Sequence, residues 1–207
     1  MTPSLSFLSW DMSSVVKMPA MFHRADKFSS DLSAWKVGKV IDMAAVFAFA
    51  SSFDSDLSSW DVSSVENMHG LFQGAGSFRG NISTWNVARV TNMDSLLSAT
   101  PFMGDLSQWD VSSVKNMQEM FYGTSFNGNI SAWNVSSVQS MHRMFFDNRQ
   151  FNQDLSSWDV SSVTDMVGMF FGDISFDQDL SRWNVSSVTT MIGMFSEAIL
   201  FNSDISG

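Results

Sequence analysis

The side chains that could do chemistry in this chain recur in columns, and their spacing decides which chemistries are open to them. Four residues before each tryptophan but the first stands a carboxylate or carboxamide, Asp31, Asp56, Asn81, Asp105, Asn129, Asp154 and Asp179, and Asp204 continues the column by period. Stacked at roughly 4.8 Å, such a column could offer oxygens to calcium. Calcium needs several oxygens converging on one point, and one column supplies too few, so a ladder of side chains satisfying loop amides is the expected role. A second column follows tryptophan: Asp61, Asn86, Asp110, Asn134, Asp159 and Asn184, with Asp11 and Lys36 in the first two repeats. Placed outward on a sheet, it could meet a carbohydrate, a partner protein or ice.

Catalysis finds little support. The three histidines, His23, His69 and His142, fall in different repeats, too far apart to share a metal. The many serines follow the repeat without a base beside them, and no glycine-rich phosphate loop occurs. There are no cysteines, which removes thiolate metal sites and cysteine nucleophiles. We therefore expect no enzyme, no catalytic residue, no metal and no cofactor. Four glycosylation sequons, at Asn81, Asn129, Asn134 and Asn184, arise from the repeat itself.

What must position these columns is the repeat. The eight tryptophans, Trp10, Trp35, Trp60, Trp85, Trp109, Trp133, Trp158 and Trp183, stand 24 or 25 residues apart and anchor repeats one to eight. A fixed period of this size marks a solenoid in which no single coil buries its apolar side alone. The period runs without a linker, so residues 1–207 read as a single domain. Both ends break off inside a repeat and lack a polar cap, which suggests an excerpt of a longer chain. The start, Met1 to Trp10, has no basic or long apolar stretch and does not read as a signal peptide.

Two periods run within each repeat. Trp158-Asp159-Val160 alternates as a short strand does, and Val163, Met166, Met169 and Phe170 recur at helical steps. The intervening Ser-Ser pair suits a helix N-cap, and Phe171-Gly172-Asp173 a helix end. The expected fold is an α/β repeat solenoid, leucine-rich-repeat-like, with about eight coils of one short parallel strand plus one short helix each. The two 24-residue repeats lose their residue after Leu97 and Phe121, in the return loop.

Phe151-Asn-Gln-Asp-Leu-Ser-Ser-Trp-Asp-Val-Ser-Ser-Val-Thr-Asp-Met166, followed by Val-Gly-Met-Phe170, resembles the repeat of BspA-type leucine-rich-repeat surface proteins and the similar repeat of mycoplasma lipoproteins. The likeness extends from about Phe7 to Ile205. It departs at Lys36 and Gly38-Lys39 in repeat two and at Ala88-Arg89 and Leu97 in repeat four. The resemblance implies an extracellular or cell-surface protein without catalytic residues, in some members an adhesin.

On the expected helix face, Tyr122, Phe146, Val167, Phe171 and Ile192 would form an apolar patch, and Ile41, Ala44, Ala45 and Phe49 a second one. Exposed apolar patches mark contacts. The net charge of −10 argues against nucleic acid, and no run reaches the roughly 20 apolar residues of a membrane span. Residues 1–40 carry five Lys/Arg against three Asp/Glu, and residues 41–207 six against eighteen, so the acidity belongs to the later repeats. The leading expectation is a non-enzymatic surface module for protein interaction or adhesion. A structural subunit of a larger assembly, making end-to-end contacts, is the alternative; a glycan- or ice-binding module is the third.

Overall fold

The computed structural model describes residues 10–205. The opening segment, residues 1–9, and residues 206–207 lie outside it, and with them the expectation of a cut repeat at the start. Successive repeats stack in parallel. Lys17, Asp42, Asn67, Asn92, Asn116, Ser140, Asp165 and Thr190 form one bridge per repeat, each residue pairing with its counterpart in the next.

No helix and no strand longer than these bridges occurs among the described residues. The expected α/β, leucine-rich-repeat-like coil of one strand plus one helix is therefore overturned. Each repeat is instead a chain of tight turns. In repeat two the amides of Trp35, Val40, Val46, Ala48, Ala50 and Phe53 each bond back three residues, to the carbonyls of Leu32, Val37, Met43, Ala45, Phe47 and Ala50.

The helical spacing misled for a definite reason. Val40, Met43, Val46 and Phe47 are buried, as one face of a helix would be, but turns of three-residue step give nearly the same spacing. The alternate amides settle the matter. Those of Met43, Ala45, Phe47 and Phe49 donate to Asn67, His69, Leu71 and Gln73 of the next repeat at 2.6–2.9 Å. An amide committed to the neighbouring repeat cannot close a helical bond to the residue four back. Backbone conformation excludes the helix as well, because every repeat has two left-handed residues, at ten and fourteen positions after tryptophan. In repeat two these are Ala45 and Phe49, with φ of 56° and 58°; in repeat three they are Gly70 and Gly74. A right-handed helix cannot pass through such residues.

The expected strand fails for a similar reason. Trp158 closes a turn from Leu155, and Val163 closes another from Val160. The alternation nonetheless survives, with Trp158 and Val160 buried and Asp159 exposed. The serine pair caps no helix: Ser63 donates to the Asp61 carboxylate and Ser64 to the Gly38 carbonyl of the preceding repeat. Gly172 stops no helix either, being one of the left-handed turn residues.

The core is continuous and aromatic. Neighbouring tryptophans stack nearly parallel at 6.3–6.5 Å. Within a repeat the two phenylalanines stack more closely, as Phe47 on Phe53 and Phe72 on Phe78, both at 3.8 Å. From Trp60 onward each buried indole also has a polar partner. Trp60 Nε1 donates to the Leu32 carbonyl at 3.0 Å, and the same bond to the preceding repeat recurs at Trp85, Trp109, Trp133, Trp158 and Trp183. Each such carbonyl also accepts an amide of its own repeat, as Leu32 accepts that of Trp35 at 3.0 Å. Phenylalanine would fill much of the volume but forfeit the bond between repeats, worth about 1 kcal/mol.

Candidate functional site

Both Asp/Asn columns are exposed turn-makers. In the column before tryptophan, Asp31, Asp56, Asn81, Asp105, Asn129, Asp154 and Asp179 each accept the backbone amide two residues on, at 2.8–3.0 Å. In the column after it, Asp61, Asn86, Asp110, Asn134, Asp159 and Asn184 do the same at 3.0–3.2 Å. The expected sheet face is thus a row of turns. Bonding to the charged form holds these aspartates below the usual carboxylate range. The Ser63 and Ser112 hydroxyls, followed by their amides, lower Asp61 and Asp110. The Ser107 and Ser156 amides, followed by their hydroxyls, lower Asp105 and Asp154.

The residues of the first apolar patch lie on a run of turns, with no helix beneath them. Three rings come together in a ladder, Tyr122 on Phe146 at 5.1 Å and Phe146 on Phe171 at 4.5 Å, all half-buried. The Arg143 guanidinium lies 5.3 Å from the Phe146 ring centre and 3.9 Å from the Glu119 carboxylate. Val167 and Ile192 are successive members of a neighbouring column. Val167 is half-buried and Ile192 is 76% exposed. In the second patch Ile41, Ala44 and Ala45 are half-buried, while Phe49 is exposed at its rim with Arg24 5.6 Å from its ring centre. Phe49 also lies over Gly74, where a Cβ would come within 2.5 Å of its ring.

The histidines stay apart. His69 faces Asp94 at 3.4 Å and His142 faces Asp165 at 3.3 Å, each pair bridging adjacent repeats. His23 meets the edge of the Phe49 ring. Among the described residues no group of three or more His, Asp or Glu side chains could hold a metal ion. No helix among them is long and apolar enough to cross a membrane.

One buried column escaped the sequence reading. Fifteen residues after tryptophan stand Ala25, Ala50, Ala75, Thr100, Thr124, Asn148, Asp173 and Ala198. The run from Thr100 to Asp173 is fully or almost fully buried. Its signal in the sequence is the departure from alanine at Thr100, Thr124, Asn148 and Asp173. The threonines belong to the two 24-residue repeats. Thr124 donates to the Phe121 carbonyl at 2.9 Å and accepts the Phe126 amide at 3.3 Å, replacing the last turn of the longer repeats.

A family model described as "Mycoplasma protein of unknown function, DUF285" matches residues 4–103 and again 97–207. The chain belongs to this DUF285 family. No curated protein and no solved structure matches it. The two matches tile the repeats from end to end, so membership rests on the same columns that build the DUF285 turns.

Proposed function

We propose that this DUF285 chain is a non-enzymatic module for protein interaction or adhesion, carried outside the cell or on its surface. The observation that carries the reading is the ring ladder of Tyr122, Phe146 and Phe171 beside Arg143. The same column holds Gln73, Ser98 and Ser196 in other repeats, so the turn stack does not require aromatic residues there. Aromatic rings beside arginine are the side chains that contribute most where proteins meet. A stack pinned by repeat-to-repeat bonds presents them at little cost in ordering. The resemblance to BspA-type surface repeats supports the surface location.

The test is attachment of cells displaying this chain, compared with the triple variant Tyr122→Ser, Phe146→Ser, Phe171→Ser. Attachment is expected to fall at least tenfold while tryptophan fluorescence stays native. Undiminished attachment by a folded variant overturns the assignment.

A further inference from the structure

Asp173 is a fully buried acid whose Oδ2 has no hydrogen-bond partner. Its counterpart one repeat earlier shows what that atom replaces. Asn148, also fully buried, accepts the Gln150 amide at Oδ1 and donates from Nδ2 to the Phe126 carbonyl, 22 residues back, at 2.9 Å. Asp173 accepts the Ser175 amide at Oδ1 in the same way. Its Oδ2 therefore occupies the place of the amide nitrogen, and the corresponding carbonyl is that of Phe151. Two oxygens cannot bond without a hydrogen between them, so only the protonated acid can reproduce the Asn148 arrangement.

We propose that Asp173 is a proton-held latch: as the neutral acid it ties repeat seven to repeat six, and on losing its proton it releases repeats seven and eight from the stack. The charged groups on the adjoining turns do not replace the proton. In repeat six Asp147 and Arg149 pair with each other at 2.9 Å, and repeat eight contributes Glu197, which is exposed. Within repeat seven the amides of Ser175 and Phe176 favour the ionised form. Burial outweighs them and pushes the acid up to about 8.

The direction follows from linkage. The folded value lies above the ordinary 3.8, so the folded form holds the proton more tightly than the opened one. The stabilisation is complete below about pH 4 and is lost as pH rises to about 8. Across that window the open population grows roughly tenfold per pH unit. Opening is confined to one end because each repeat contacts only its neighbours.

The experiment is hydrogen exchange on the full chain from pH 5 to 9, expressed as protection factors so that the intrinsic pH dependence cancels. Amides of Arg143, Phe145 and Asp147, which donate across the junction to Val167, Met169 and Phe171, are expected to lose protection as pH rises, while those of Phe72 and Leu97 hold theirs. Asp173→Asn, which copies Asn148, and Asp173→Ala, which copies the alanine of other repeats, should both make the terminal protection independent of pH. Constant protection in the parent chain, or the same pH dependence in either folded variant, overturns the latch.

Discussion

Trp109 shows most directly how one side chain carries several duties in this chain. It is buried, stacks on Trp85 at 6.5 Å and donates from Nε1 to the Ile82 carbonyl at 3.1 Å. Removing the donor loses one of the two bonds this carbonyl accepts, the other coming from the Trp85 amide at 3.2 Å. One such bond is worth about 1 kcal/mol, and the smaller ring leaves space that adds to the loss. Trp109→Phe is accordingly expected to destabilise the fold by about 1–3 kcal/mol in urea titration, although the substitution is aromatic for aromatic. A loss within a few tenths of a kcal/mol would mean that neither the indole's bond nor its extra volume sets the tryptophan column. This duty was hidden in the sequence, where the regular spacing marks a core position but cannot distinguish packing from donation.

At the scale of the turn, the exposed carboxylates set the acid side of the stability profile. Asp31, Asp56, Asp105, Asp110, Asp154, Asp159 and Asp179 are all lowered by bonds within their own turns. A lowered folded value means the stabilisation is present above the ordinary 3.8 and lost as pH falls through the folded values. Thermal unfolding followed by tryptophan fluorescence is expected to show stability decreasing from about pH 4 downward. Replacing Asp105, Asp110, Asp154 and Asp159 together by Asn should flatten that decrease while keeping the turns, since Asn81, Asn86, Asn129 and Asn134 build the same turns. An unchanged acid limb would place the acid sensitivity elsewhere. The columns were legible in the sequence because Asp-x-Ser and Asn-x-Ser recur. The face they occupy was misassigned, since a turn and a strand edge can both alternate buried and exposed residues.

At the scale of the molecule, bonding runs between neighbouring repeats, so stability should behave as a sum of repeats and their contacts. Excising residues 53–77 removes one full period and rejoins Ser52 to Phe78, leaving Ala50 and Phe78 in the places Ala50 and Phe53 now hold. The shortened chain is expected to fold, to unfold at lower urea and to keep a far-ultraviolet spectrum without helical minima. Collapse of the fold on this excision would show that stability depends on contacts reaching beyond adjacent repeats.

The sequence by itself determined the period, the composition of the core and the residues that face inward. Those follow from hydrophobic spacing, which any stack of repeats with this period must satisfy. Only the tertiary structure decided what the chain does between the buried positions. Val40, Met43, Val46 and Phe47 fit a helix and a run of turns alike. The outcome turned on whether alternate amides bond within the repeat or across to the next, and on the left-handed conformations at Ala45 and Phe49 that crossing requires. Those bonds exist only once a second repeat is in place, so no single repeat announces them. Asp173 follows the same rule: its letter was in the sequence, but its burial and its unpartnered oxygen are properties of the stack.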